Sequence, residues 1–91
     1  MQRPSPHDPL TLALAALAAT LGDERRAHRF IDLTGIGTDQ LRTRAGEPAL
    51  LAALIRFLEA HEPDLIAVSE ALGVAPDLLV QARRELEEGK Q

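Results

Sequence analysis

The sequence predicts an all-α protein, a compact orthogonal bundle of five to six short helices with helices 1 and 4 at its centre. Leu and Ala, which are strong helix formers, supply most of the 45% of residues that are hydrophobic. The β-branched and aromatic residues that favour strands are few, and the chain has neither Trp nor Tyr. No stretch alternates apolar and polar residues for long enough to indicate a half-buried strand.

Length and composition predict one domain and exclude several kinds of chemistry. A chain of 91 residues is near the lower end of sizes that fold without a disulfide or a metal. Because there is no cysteine, disulfides, thiolate catalysis and cysteine-ligated metal sites are excluded. The net charge of −4 disfavours general binding to nucleic acids or anionic membranes. We assign residues 1–7 to a flexible N-terminal tail, 8–88 to a single helical domain and 89–91 to a C-terminal tail.

The first predicted helix is apolar on nearly every side. Asp8 is the expected N-cap, Pro9 the first helical residue and Leu21 the last. The apolar run is too short to span a bilayer, and the acidic and proline residues before it argue against a signal peptide. Leucines at positions 10, 14, 17 and 21 form one stripe. We expect helices 4 and 5 to cover the opposite face, with self-association as the alternative. That opposite face comprises Leu12, Ala15, Ala16 and Ala19.

Two shorter helices are predicted next, separated by a glycine turn. Helix 2 is expected over residues 24–34, with an inner face that includes Phe30 and Ile31, and Gly35 supplies the left-handed residue that ends it. Ile36 is expected to reach the core from the turn. Thr38 is the predicted N-cap of helix 3, which should end near position 45.

The second half of the chain predicts three more helices. Helix 4 is expected from Glu47-Pro48 to about His61, because its leucines and isoleucine recur at i, i+3, i+4 and i+7. Glu62-Pro63 predicts a break, since a residue before proline is disfavoured in the helical region. Helix 5 is expected from about Asp64 to Leu72. Helix 6 should begin at position 76, with its inner face formed by Leu79, Ala82 and Leu86.

A weak repeat relates the two glycine turns. Residues 35–41 align with residues 73–79 at an offset of 38, with three of seven positions identical. A tight turn between helices demands these residue types by itself. We therefore favour turn chemistry over duplication as the explanation.

Several segments of this chain resemble a known family. The most specific is the His-Glu-Pro-x-Leu run at residues 61–65, at its distance from the earlier Glu-Pro at 47–48. Residues 30–36 and the turn at 73–76 extend the likeness from about helix 1 to helix 6. The chain resembles the bacterial domain-of-unknown-function family three-five-seven-two, although Ala16 and Val68 stand where its members favour aromatic residues. The resemblance implies an all-helical fold and a bacterial, cytoplasmic setting, and it implies neither an activity nor functional residues.

No catalytic or metal-binding constellation emerges from the residues. Neither serine lies in a Gly-x-Ser-x-Gly turn, and His61-Glu62 is not the His-Glu-x-x-His zinc pattern. Glu24, His28 and Asp32 share one helix face, which more often indicates a solvated charged stripe than an ion site. We therefore predict that the chain is not an enzyme and uses no metal or cofactor.

Charge decides between the two remaining function classes. Residues 70–79 match the outline of a helix-turn-helix, but residues 77–88 carry two arginines against four carboxylates, which phosphates would repel. Nucleic-acid binding therefore remains the alternative. We favour a small non-enzymatic protein-interaction module, monomeric or homodimeric and not membrane-bound, with an unidentified protein partner. Its candidate surface is a basic face that would prefer an acidic partner. That face comprises Arg25, Arg26, Arg29, Arg42 and Arg44.

Overall fold

Six α-helices account for most of residues 8–89, the part of the chain that this computed structural model describes. Within those residues there is no strand, so the predicted fold class is confirmed. The predicted tails at 1–7 and 90–91 lie outside the described residues. No single helix between residues 8 and 89 is long and apolar enough to cross a membrane. The helices are α1 (Pro9–Leu21), α2 (Glu24–Thr34), α3 (Thr38–Arg44), α4 (Pro48–Glu59), α5 (Glu62–Leu72) and α6 (Pro76–Glu87).

The core is built around α1 and α4, as the sequence predicts. Each of these helices packs against the other and against both α5 and α6. Their central side chains are almost completely buried, and each large aliphatic side chain contributes about 1.5–3 kcal/mol by leaving water. The predicted inner residues of α6, which are Leu79, Ala82 and Leu86, are buried as well. The most deeply buried side chains of α4 are Leu51, Leu54, Ile55 and Leu58.

The apolar surface of α1 is divided between the core and solvent. Asp8 caps the helix as predicted, because its carboxylate accepts from the backbone N–H of Thr11 at 3.0 Å. The covering helices include α6 in addition to the expected α4 and α5. Thr20 is also buried, and its hydroxyl donates to the carbonyl of Ala16 at 2.8 Å. Leu14, by contrast, remains 38% exposed.

Three predicted helix boundaries are wrong. Gly37, not Thr38, is the N-cap of α3, since the Gln40 side chain accepts from the Gly37 N–H and fixes the first turn one residue earlier. Helix α4 ends at Glu59, and His61 is already the N-cap of α5. Helix α5 therefore begins at Glu62 rather than Asp64. Pro63 fits inside the first turn because its missing N–H has no helical acceptor there.

The repeat extends well beyond the glycine turns. Helices α2 and α5 start at 24 and 62 and end at 34 and 72, and α3 and α6 start at 38 and 76, so the offset of 38 holds at these boundaries. Helices α1 and α4 start 39 residues apart, at 9 and 48. Gly35 and Gly73 both have φ of 70°. Turn chemistry explains those glycines but not the matched helices, so turn chemistry alone is too narrow an explanation. We refer to residues 9–44 and 48–87 as the two halves. Buried pairs at this offset include Leu12 with Leu50, Leu17 with Ile55, Phe30 with Val68, and Leu41 with Leu79.

The last helices of the two halves pack differently. Helix α6 has 12 residues, lies against both α1 and α4, and buries three side chains. Helix α3 has 7 residues and buries one side chain, Leu41. Helix α3 is therefore held to the core by fewer buried side chains than α6 is.

Candidate interaction surface

Two of the five predicted arginines bind a buried carboxylate. Asp64, in the first turn of α5, is only 4% exposed. The Nε of Arg26 donates to its Oδ1 at 3.0 Å, and the guanidinium of Arg29 contacts its Oδ2. A carboxylate in the first turn is also favoured by the helix dipole. Because Arg26 and Arg29 neutralise Asp64, much of their charge serves the fold.

Arg29 also covers an aromatic pair. Its guanidinium carbon lies 5.5 Å from the centroid of the Phe57 ring, a cation–π geometry. Phe57 meets Phe30 edge to face, with 5.3 Å between the ring centroids. Arg29 therefore links α2 to both α4 and α5, which gives it a structural role.

The N-terminal end of α2 forms a small polar cavity of about 260 Å³. Asp23 caps this helix by accepting from the Arg26 backbone N–H at 2.9 Å, and this hydrogen bond lowers the pKa of Asp23. Arg25 is exposed at the same end. The two carboxylates leave a small positive excess here. The cavity is lined by Asp23, Arg25, Arg26, Arg29 and Asp64.

Arg44 is also paired, whereas Arg42 forms no ion pair with any residue from 8 to 89. Nε of Arg44 donates to Glu47 at 3.0 Å, joining the end of α3 to the start of α4. Both side chains are largely exposed, so this pair contributes at most about 1 kcal/mol. Arg42 is exposed, and no residue from 8 to 89 forms an ion pair with it. Arg42 is therefore the cation of α3 that remains available for a partner.

Arg42 stands at the edge of an apolar groove between α1 and α3. This α1–α3 groove has a volume of about 360 Å³ and is open to solvent. Its α1 wall includes Leu14, and the remaining residues are aliphatic except for Arg42 and one threonine. Among the described residues, Arg42 is the one charged side chain in the lining of this groove. The lining comprises Leu14, Leu17, Ala18, Leu21, Thr38, Leu41, Arg42 and Ala45.

The five predicted arginines are thus distributed over separate surroundings. Arg25, Arg26 and Arg29 line the polar cavity on α2, Arg42 lines the α1–α3 groove, and Arg44 pairs with Glu47. The structure adds two residues that the sequence analysis did not assign to the site. These are Asp64, which sits at the 38-residue offset from Arg26, and Leu14, which belongs to the stripe on α1 that the core leaves partly uncovered.

The corresponding helices of the second half are joined by ion pairs. Nε of Arg83 on α6 donates to Glu59 on α4 at 2.5 Å, and this bond raises the pKa of Arg83. Nε of Arg56 donates to Glu87 at 2.6 Å, and this bond lowers the pKa of Glu87. Beside these pairs, α4 and α6 leave a second solvent-open groove of about 520 Å³, whose lining includes Leu86.

Ser69 and the charged face of α2 lie in different surroundings. Ser69 is buried, and its hydroxyl donates to the carbonyl of Leu65 at 2.7 Å. Glu24, His28 and Asp32 are all exposed on α2. Between residues 8 and 89, no three His, Asp or Glu side chains are grouped so that they could hold a metal ion.

A comparison with protein families matches almost the whole chain. The family described as "Protein of unknown function (DUF3572)" matches residues 6–89. The chain belongs to the DUF3572 family. Ala16 and Val68, for which the resemblance implied aromatic residues, are both buried in the core. No curated protein and no solved structure matches the chain.

Proposed function

We propose that this chain is a small non-enzymatic protein-interaction module and that the α1–α3 groove is its contact surface. The observation that carries the proposal is the exposure of Leu14, at 38%, in a groove that collects aliphatic side chains from two helices. Exposed apolar side chains that adjoin one another in a groove are candidate contact sites in soluble domains. A bacterial cytoplasmic setting, as the family resemblance implies, is part of the proposal.

Other exposed apolar side chains support the choice of this groove by contrast. Leu33 on α2 is 76% exposed and Ile66 on α5 is 40% exposed. Neither lines the α1–α3 groove, and single apolar side chains at a surface are ordinary. The groove differs because Leu14 continues into Leu17 and Leu21 on the same helix.

Because of the ion pairs, fewer of the five predicted arginines are available to a partner. Arg26 and Arg29 hold Asp64, so reversing their charge would disturb the fold before it tested a partner. Arg42 forms no such ion pair within residues 8–89, and it adjoins the apolar lining. We therefore assign the contact with an acidic partner to Arg42, with Arg25 as a secondary cation.

Affinity capture from native lysate tests this function. Tagged wild-type chain, Arg42→Glu and the exposed control Arg84→Glu on α6 are compared, each with and without nuclease. We expect proteins that survive nuclease treatment, bind the wild type and Arg84→Glu, and are lost with Arg42→Glu. Capture that is the same for all three chains, or that disappears with nuclease, would refute the proposal.

One observation favours a second candidate, nucleic-acid binding. The axes of α5 and α6 bend by 98° across the turn at Gly73, within the range of about 90–120° found in helix-turn-helix motifs. Charge opposes it, since Arg83 is already paired with Glu59. Fluorescence anisotropy of a DNA duplex would show affinity that falls steeply with salt if this candidate were correct. We expect no such binding even at low salt.

A further inference from the structure

We propose that the α1–α3 groove receives an acidic amphipathic helix from another protein. Apolar side chains of that helix would enter the groove, and a carboxylate would lie beside Arg42. This inference rests on the interaction function proposed above and names the class of partner. It is argued from the difference between the two halves of the chain and from the charge of the groove.

The second half has a longer last helix than the first. There α6 runs on to Glu87, and Leu86 packs beside α4 with only 4% of its side chain exposed. In the first half α3 stops at Arg44. The position 38 residues before Leu86 is Pro48, which already begins α4. The first half therefore lacks the last turn that α6 places beside α4, and a helix from a partner would lie where that turn is absent.

The lining determines which helix would fit. The positions of α1 that correspond to Arg56 and Glu59 are Ala18 and Leu21. Ion pairs with α6 close the second half at those positions, whereas the groove presents aliphatic surface. The main contact must therefore be apolar. Such a surface fits a partner with apolar residues at i, i+3, i+4 and i+7, the usual pattern of a helix bound in a groove.

The positive charge of Arg42 in the groove lining indicates that the partner helix is acidic. Arg42 is the only charged residue in the lining, and it is exposed and unpaired within residues 8–89. A helix that carries Asp or Glu beside its apolar face would gain an ion pair there, while a basic helix would be repelled. A single arginine among aliphatic side chains is poorly suited to a phosphate backbone, which is bound through several cations.

Two peptides serve as probes. Each is a fluorescent helical peptide of about 15 residues, long enough to form a helix. Both carry the same leucine stripe, and the exposed positions are glutamate in one and lysine in the other. We expect the acidic peptide to bind about fivefold or more tightly than the basic one. Leu14→Gln should weaken its binding about tenfold or more, and Arg42→Glu should reverse the preference between the peptides.

Matched variants control for other surfaces. Ile66→Gln removes an equally exposed apolar side chain on α5, and Arg84→Glu reverses an exposed arginine on α6. Neither should change the binding of the acidic peptide. Equal binding of both peptides, no binding of the acidic one, or insensitivity to Leu14→Gln would overturn the inference. Circular dichroism confirms that each variant is folded before its binding is interpreted.

Sedimentation of the chain alone tests whether the groove is occupied by a second copy of the chain. We expect a monomer. A dimer that Leu14→Gln dissociates and Ile66→Gln leaves intact would place a second copy in the groove and overturn the inference.

If lysate proteins depend on Arg42 but the acidic peptide does not bind, the interaction function stands and only the helical partner fails. If the peptide binds but no lysate protein depends on Arg42, the proposed function fails instead.

Discussion

Arg26 and Asp64 join the two halves of the chain at corresponding positions. They are 38 residues apart, the offset that relates α2 to α5, and the Nε of Arg26 lies 3.0 Å from the Oδ1 of Asp64. Arg29 contacts the other carboxylate oxygen. Position 26 in the first half is thus basic, and the corresponding position in the second half is acidic. The two halves attract each other at this point because they differ there.

Replacement of the buried carboxylate should destabilise the domain. We expect Asp64→Asn to lower the free energy of unfolding by about 2 kcal/mol, because it leaves Arg26 and Arg29 without an anionic partner. Urea denaturation measures this change. Glu70→Gln, on the exposed face of the same helix, is the control and should cost less than about 0.5 kcal/mol. Equal costs for the two variants would show that the ion pairs add no stability.

The two left-handed glycines should be equally sensitive to substitution. Gly35 and Gly73 both have φ of 70°, where an L side chain is strained. We expect Gly35→Ala and Gly73→Ala each to cost about 1 kcal/mol. Gly46 is not among the positive-φ glycines, and an added Cβ would meet nothing within 4 Å, so Gly46→Ala should change stability by less than about 0.5 kcal/mol. Thermal denaturation of the three variants tests this order.

Acid should weaken the link between α4 and α6. Hydrogen bonding from Arg56, with a further bond from Arg83, holds the pKa of Glu87 below its usual 4.5. In acid the unfolded chain therefore binds more protons at this group than the folded chain does. The stabilisation is complete above the unfolded pKa and is lost as the pH falls through the folded pKa.

The matching experiment compares wild type with Glu87→Gln. We expect the difference in their free energies of unfolding to shrink between about pH 6 and about pH 3, as urea denaturation at several pH values would show. In an Arg56→Gln background the same difference should vary less with pH, because the main cause of the pKa shift is gone. A difference that is constant across this range would contradict the assignment.

Neighbouring leucines of α1 should respond very differently to a polar substitution. Leu17 is 5% exposed and Leu14 is 38% exposed. We expect Leu17→Gln to cost about 3 kcal/mol, since it buries an amide without a partner, and Leu14→Gln to cost less than about 1 kcal/mol. Chemical denaturation measures both. Similar losses would mean that Leu14 belongs to the core and not to a contact surface.

The core could be predicted from the sequence because its signal is local. The spacing of Leu51, Leu54, Ile55 and Leu58 determines the buried face of α4, and Phe30 likewise appears on the predicted inner face of α2. Helix ends were harder to predict. At Pro63 the preference against a helical residue before proline competed with the tolerance of the first turn, and the first turn prevailed.

The surface could be predicted only in part. The arginines were identified from their charge, but their pairing with Asp64 depends on α2 and α5 meeting in space, which no local pattern encodes. Leu14 lay in a predicted apolar stripe. Its exposure depends on which helices pack against α1, and the pattern of α1 itself does not encode that.

Helix α3 is held to the core by a single buried side chain, and this affects how the helix moves. With only Leu41 buried, this helix has few apolar contacts to break, so it should detach and reattach without unfolding of the rest. Its amide hydrogens should then exchange with deuterium well before those of α1 and α4. The α3 wall of the α1–α3 groove would then move while the α1 wall stays rigid. The groove would accept partner helices whose side chains differ in size.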